Sequence, residues 1–440
     1  MSWLCSIDES GAALVVGDEV EEIRGGVFEG VWDGLFDLRE PQRAEHYFGS
    51  GVIGNSGELL ILTPKHTLEG VFSVEDKRTR RLYFSNSLAC VCCVADISVS
   101  EEMRSRALQV KRGFYGYDSR LLENDEIALD KLVFYDYLIR RDGMAYRMPL
   151  PELKQFDDYA HYRSSVASVI NVIAANALHT GRRQTYEPLA AVSAGYDSPA
   201  CAALAKAAGC ERAITTRTGR RGGVDSGRQV ARALGLSLVE RDRPPFHERE
   251  DAAMGETLAD LTDPDHFDLA AEFLATGMIG HEANFVPFAD VLPGTLLITG
   301  FQGGRYWDIS EPPSRDAERM DSSGSSMFEF RSRLGFVHFP VPFIFVRSQE
   351  DVRTIGLSDE MKPYSIGGAY NRPVARRLAE DAGVPRTAFG QHNNASSVLF
   401  FPQKRKRLFP RSVEFVSRRY LPAQQVLAAR RRRTSGSPRR

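Results

Sequence analysis

Ser193, Gly195, Asp197 and Ser198 lie close together in the stretch Glu187 to Gly209, EPLAAVSAGYDSPACAALAKAAG. Two hydroxyls that can donate to oxygen anions, a glycine that lets backbone come near a ligand, and a carboxylate are the parts of a phosphate site. Asp197 would repel a phosphate on its own, so its place among the hydroxyls makes sense if it bears on Mg²⁺ rather than on the anion. Neither G-x-x-x-x-G-K-[ST] nor G-x-G-x-x-G occurs in this turn, which argues against an ordinary P-loop or Rossmann site there.

Two elements must hold that turn. Leu189 to Val192 has the length of a buried strand, and Pro199 to Ala208 has the small-residue composition of a helix packed closely on a sheet. Ser193 to Ser198 is then a strand-to-helix turn, where free backbone N–H groups and the positive end of the helix add to the hydroxyls. Downstream, Arg212 to Gly219 reads as a strand, Asp225 to Gly235 as a helix stopped by glycine, and LSLVERD as another strand. Successive units of this kind predict a parallel sheet covered by helices, with ligands beyond the carboxyl ends of the strands.

Upstream, Gly57 to Val99 reads as short strands, GELLILT, EGVFSVED and RRLYFSNSLACVCCVA, with charged turns such as Glu75 to Arg78 between them. A helical pattern covers Phe156 to Ala177 and ends in the polar HTGRRQTYEP. These readings divide the chain into a β-rich domain over 1–180, an alternating α/β domain over 181–425, and a basic, disordered tail over 426–440.

The chain has 440 residues, 42% hydrophobic and 26% charged, as expected for two or three soluble globular domains. A net charge of −2 gives no global attraction for nucleic acid. The basic runs Lys404 to Arg407 and Arg430 to Arg433 read as solvated faces or tail. MSWLCSIDESGAALVV lacks the pattern of a secretory signal, so a cytoplasmic setting is expected. Six cysteines form neither a disulfide framework nor a zinc pattern. If the run through Cys90, Cys92 and Cys93 is extended, Cys92 and Cys93 face opposite ways, and buried reduced thiols are expected. The nine histidines are scattered, without H-E-x-x-H. Phe336 to Val346 is too short to span a bilayer and reads as a buried or interface segment. Pro313 to Met327 is polar and reads either as a mobile loop near the site or as a plain surface excursion.

VSAGYDS resembles the S-G-G-x-D-S pyrophosphate loop of the ATP pyrophosphatases, and the sequence around it is similar to the synthetase domain of the asparagine synthetase family. LLITGFQGGRYWD, Leu296 to Asp308, resembles that family's second glycine loop, and Tyr370 to Gly390 its carboxyl-terminal helical segment. The stretch LEGVFSVEDKRTRRLYFSNSL resembles part of its glutaminase domain. The resemblance implies an adenine nucleotide alpha-hydrolase-like parallel sheet covered by helices, preceded by a degenerate, Ntn-hydrolase-like α/β sandwich of the glutaminase type. It also implies ATP and Mg²⁺ as cofactors, and an ATP-dependent carbon–nitrogen ligase that attacks the α-phosphate with a carboxylate and passes the acyl adenylate to an amine. Its partners would be a small-molecule or peptide carboxylate and an amine or ammonia donor, without membrane or nucleic acid; a homodimer is compatible.

By the same resemblance Ser193, Ala194, Gly195, Tyr196, Asp197, Ser198, Thr216, Gly300 and Gly303 bind the nucleotide, and Asp197 and Asp308 hold the metal. The sequence departs from the family in several places. Ser2 stands where the glutaminase nucleophile is a cysteine, and Cys5 is three residues too deep, so glutaminase activity is expected to be lost. Ala194 replaces a loop glycine. Gly304 stands where an acidic metal contact is usual, so either Asp308 replaces it or Mg²⁺ relies on Asp197 and the phosphates. A lysine expected near FGQHNNASS is missing, with His392, Asn393 and Asn394 in its place, and Arg305 or Lys362 is expected to supply that catalytic charge. Two other readings stay open: a nucleotide-binding pseudoenzyme, and an RNA-modifying ATP pyrophosphatase using the basic runs and Cys201.

Overall fold

Alternating side chains in the amino-terminal half build two antiparallel sheets. The strands are β1 (Trp3–Asp8), β2 (Gly11–Val16), β3 (Glu21–Ile23), β4 (Gly26–Trp32), β5 (Tyr47–Asn55) and β6 (Glu58–Leu62). They continue with β7 (Val71–Asp76), β8 (Arg81–Ser85), β9 (Arg120–Glu123), β10 (Ile127–Leu132), β11 (Tyr137–Ile139) and β12 (Ala145–Arg147). One sheet runs β2-β1-β8-β7-β10-β9 and the other β12-β11-β6-β5-β4-β3. Trp3, Phe84 and Val71 of the first sheet and Val27, Phe48 and Ile61 of the second enter one core. The Trp3 indole also donates across to Ser50 Oγ at 3.1 Å. Gly30 and Gly49 are opposed on β4 and β5, where a Cβ would fall 2.1 and 1.9 Å from the facing backbone oxygens. Both have positive φ, 106° and 149°, which glycine alone adopts without strain.

The computed structural model describes residues 1–9, 11–55, 58–97, 100–140, 144–219, 222–242, 285–310, 312–319 and 327–391, with 421, 425, 426 and 428. The two basic runs and His392, Asn393 and Asn394 lie outside the described residues. No helix among the described residues is long and apolar enough to cross a membrane.

The cysteine-rich run corrects the extended reading: Leu88–Ala95 is a helix. Ser87 caps it by accepting from the Cys90 N–H at 3.2 Å, and Asp96 closes it in the left-handed conformation. All eight residues are buried, so the helical period that betrays an amphipathic helix is absent. The expectation of buried, reduced thiols stands, since all six cysteines are buried and none is in a disulfide among the described residues. Leu421 and Val426 pack in the same cluster as this helix. Val426, 0% exposed, is therefore not part of a loose tail, and most of 427–440 lies outside the described residues.

The helix Tyr159–Ala177 begins at Asp158, whose side chain accepts from the His161 N–H at 2.8 Å. Val166, Ile170, Ile173 and Ala177 turn its apolar face to the core. The polar segment after it is tied down rather than loose. Arg182 is buried there and donates to the Gly30 carbonyl at 2.6 Å and to Asn176 Oδ1 at 2.9 Å.

Beyond it lies the expected parallel sheet, β13 (Glu187–Ala191), β14 (Arg212–Thr216), β15 (Ser237–Arg241), β16 (Thr295–Thr299) and β17 (Val337–Pro340). Its order is β15-β14-β13-β16-β17, with all neighbours parallel. The chain moves outward from β13 to β15 and returns to the other side of β13 with β16. The crevice between β13 and β16 is therefore the point where the strand order reverses. The helix Asp197–Ala207 packs on both of these strands and on the helix Pro373–Asp381. Between β14 and β15 the helix starts at Arg228, later than Asp225. The apolar stretch from Phe336 is buried as β17 and the turn Val341–Phe343.

One side chain joins the two halves from inside. Arg331, in the helix Met327–Leu334, is enclosed between Glu29 and Glu69, with contacts of 2.9 Å and 2.7 Å to their carboxylates. Burial pushes the Glu69 carboxyl up, and the Arg331 charge beside it pulls it back.

Candidate functional site

β13 delivers the turn at its carboxyl end. Ala194 N–H donates to the Asp225 carbonyl at 3.1 Å, and the Ala194 carbonyl accepts from Gly390 N–H at 2.7 Å, so the turn is clamped on both sides. Ser193 Oγ and Ser198 Oγ lie 2.8 Å apart, and Gly195 N–H donates to Ser193 Oγ at 3.2 Å. The two hydroxyls thus share one spot at the start of the helix Asp197–Ala207. Tyr196 contributes backbone only: its ring is 1% exposed, packs against Tyr370 at 4.7 Å, and bonds Arg376 through its hydroxyl at 2.5 Å.

β16 delivers the second loop. Its glycines are required by the closeness of the first: a Cβ on Gly300 would lie 2.6 Å from the Asp197 carbonyl carbon, and one on Gly303 would lie 2.6 Å from Asp197 Cγ. Gln302 takes the left-handed conformation, φ 64°, to turn the chain into the short helix Gly303–Tyr306. Asp308 follows, 6% exposed, with Oδ1 accepting from Ser310 N–H at 2.9 Å and Ser310 Oγ at 2.5 Å.

The two loops meet at a residue that sequence reasoning missed. Arg372, immediately before the helix Pro373–Asp381, donates through Nη1 to Asp197 Oδ2 at 2.7 Å and sets Nε 3.6 Å from Asp308 Oδ2. Its guanidinium lies 4.7 Å from the centre of the Tyr370 ring. A Cβ on Gly304 would fall 2.6 Å from Arg372 Nη2, so the space beside Gly304 belongs to this cation. Burial raises the Asp197 carboxyl above the usual range, Arg372 draws it down, and Asp308 raises it further. Burial acts against the Arg372 charge, but Asp197, Tyr370 and Asp308 outweigh it and hold the group protonated.

The other expected residues are placed apart from this contact. Arg305 is buried and directed to the Pro312 carbonyl at 2.6 Å and Glu318 at 3.3 Å, so it anchors the loop. Lys362 is exposed and pairs with Asp359 at 2.7 Å. Thr216 ends β14, its hydroxyl 3.4 Å from the Thr218 carbonyl. Burial pushes the Cys201 thiol well up, with Asp197 adding to the effect, so it is a core residue without thiolate character.

Among the described residues no side chain bonds Asp197 Oδ1, which is enclosed, although the Gly304 N–H approaches the carboxyl and favours its charged form. A hard carboxylate oxygen left over in this way fits Mg²⁺, which takes one or two carboxylates and fills its shell with water and phosphate oxygens. Among the described residues no three His, Cys, Asp or Glu side chains converge on a metal-sized space. No family model matches the chain, and no curated protein matches it.

Proposed function

We infer that the crevice beyond β13 and β16 binds the phosphates of ATP together with Mg²⁺, and that the chain is an ATP-dependent carbon–nitrogen ligase of the asparagine synthetase type. The observation that supports this best is the meeting of the Ser193 to Ser198 turn with Asp308 and Arg372 at the one edge where the strand order reverses. In this reading the parallel sheet is of the adenine nucleotide alpha-hydrolase type, and the paired antiparallel sheets are a glutaminase-like sandwich without glutaminase activity. A cytoplasmic setting belongs to the same reading.

The residues divide the work. Ser193 and Ser198 exchange their mutual contact for donation to phosphate oxygens, alongside the N–H groups at the helix start. Asp197 and Asp308 are the carboxylates that would hold Mg²⁺, which when bound would neutralise charge on the phosphates. A substrate carboxylate oxygen bonds to the α-phosphorus as the bond to pyrophosphate breaks, and the electron pair leaves with pyrophosphate. Arg372 is the protein cation nearest these carboxylates and meets that charge. The amine then attacks the acyl carbon and AMP departs.

ATP with Mg²⁺ raises the melting temperature of the wild type by linkage, and the double variant Ser193→Ala/Asp197→Ala loses that shift while remaining folded. An unchanged shift in the variant would refute the assignment of the turn. Pyrophosphate release across a panel of carboxylates and amines then tests the ligase itself. A second reading, nucleotide binding without turnover, is favoured by the ion pair that already joins Arg372 to Asp197. Tight ATP binding with no pyrophosphate release from any carboxylate, amine or cell extract selects it. The RNA-modifying reading loses its thiol with the burial of Cys201.

A further inference from the structure

We propose that Arg372 is a built-in cation that takes the place of one divalent ion, so that this crevice holds a pyrophosphate group with a single Mg²⁺ and retains measurable affinity with none. The inference rests on the phosphate-binding reading of the crevice. It starts from the contacts of one guanidinium, which lies between the carboxylates of Asp197 and Asp308 at 2.7 and 3.6 Å. Two carboxylates and one guanidinium leave a single negative charge, which one divalent ion reverses to a single positive charge. A second divalent ion would have to share Asp308, whose Oδ1 is taken by two bonds from Ser310 and whose Oδ2 faces Arg372.

Steric fit points the same way. Gly304 stands against Nη2 so closely that even a methyl group there would fall 2.6 Å from it. A carboxylate side chain at 304 and the guanidinium cannot occupy that space together, so the glycine and the arginine form one arrangement. Arg372 is fixed by the Tyr370 ring on one side and Asp197 on another, while no hydrogen bond joins Nη2 to a described residue. A guanidinium whose Nη1 is bonded to a carboxylate while Nη2 is unbonded is suited to a phosphate oxygen, since its planar fork can serve two anions at once.

The test uses inorganic pyrophosphate as the probe, titrated by calorimetry into the full chain in EDTA and in Mg²⁺. Wild type binds in both buffers, with EDTA weakening it by about tenfold. Arg372→Met weakens binding in EDTA by a further tenfold to a hundredfold or so, the range for one charge-assisted contact, and makes binding depend on Mg²⁺. Arg372→Lys keeps part of the EDTA binding. Because Arg372→Met leaves Asp197 without its partner, Gly304→Ala serves as the second variant: it keeps every charge and displaces only the guanidinium. It also weakens EDTA binding. Wild-type binding that requires Mg²⁺ outright, or EDTA binding unchanged in both Arg372→Met and Gly304→Ala, overturns the proposal while leaving the phosphate site standing. Absence of pyrophosphate binding in either buffer overturns both.

Discussion

Gly303 lies against Asp197 so tightly that a Cβ on the glycine would sit 2.6 Å from the carboxyl carbon. Neither side can give way cheaply, because Asp197 is held by Arg372 and Gly303 opens a short helix. Gly303→Ala is therefore expected to destabilise the fold by about 1–3 kcal/mol, the usual cost of overpacking, and to abolish the ATP-induced thermal shift. Denaturant unfolding and a thermal-shift series measure the two effects; a variant with both intact would show that the loops can part.

Asp308 and Lys362 are expected to behave oppositely. Asp308→Ala leaves ATP affinity within a few-fold and lowers pyrophosphate release by about a hundredfold or more, the scale of one lost electrostatic contact. Lys362→Ala changes neither, since that lysine is exposed and paired with Asp359. Single-turnover measurements of pyrophosphate release decide between them.

Arg331→Met strands two buried carboxylates, Glu29 and Glu69, and is expected to cost about 3–5 kcal/mol at neutral pH. Adding Glu29→Gln and Glu69→Gln to the same chain recovers most of that loss. Equilibrium unfolding of the single and triple variants is the measurement. A mild single variant would mean that solvent reaches this position once the guanidinium is gone.

Asp33 and His46 oppose each other in acid. Burial, with Glu45 adding to it, lifts the Asp33 carboxyl from 3.8 to about 7, so its contribution to stability is full below about 4 and is lost as pH rises to 7. Burial, with Lys65 adding to it, lowers His46 from 6.5 to about 4, so its contribution is full above 6.5 and is lost as pH falls to 4. Between pH 4 and 6.5 the two slopes, each at most about 1.4 kcal/mol per pH unit, offset one another. In Asp33→Asn stability falls on acidification across that window; in His46→Gln it rises. Unfolding curves collected at half-unit pH steps reveal either slope.

Native protein is expected to show no fast-reacting thiol toward a disulfide reagent, and six after denaturation, because every cysteine is buried. Burial pushes the Cys5 thiol up to about 12, which removes its thiolate at working pH. Ser2 is 1% exposed. Glutamine should accordingly release no glutamate; release that disappears in Ser2→Ala would reverse that conclusion.

The turn after β13 could be read from sequence because its parts are local: a short apolar strand, Gly195 and two serines lie within one turn of a helix start, and short-range chemistry fixes them. The helix at Leu88 could not, because a segment buried on every side shows no period, and Ser87 is the only written sign of its start. Arg372 was hidden for another reason. Pro373 marked the start of its helix, but its pairing with Asp197 spans 175 positions and depends on how that helix packs on Asp197–Ala207. Arg305 in the second glycine loop and Arg372 in the Tyr370 to Gly390 segment both lie within expected motifs, and membership of a motif did not tell which cation reaches the carboxylates.

The distance along the chain between Asp197 and Arg372 also sets an order in time. At usual rates of synthesis, 175 residues take roughly 9 to 35 s to emerge, so the nascent chain carries the completed turn long before its cation exists. Throughout that interval Asp197 lacks Arg372, and until the Asp308 loop has been made it lacks that loop too, so water must solvate its carboxylate. The crevice therefore closes only after Arg372 has been made, not with the strand that begins it. A ribosome-bound chain halted before Arg372 leaves the exit tunnel would carry a sheet edge still open to other molecules in the cell.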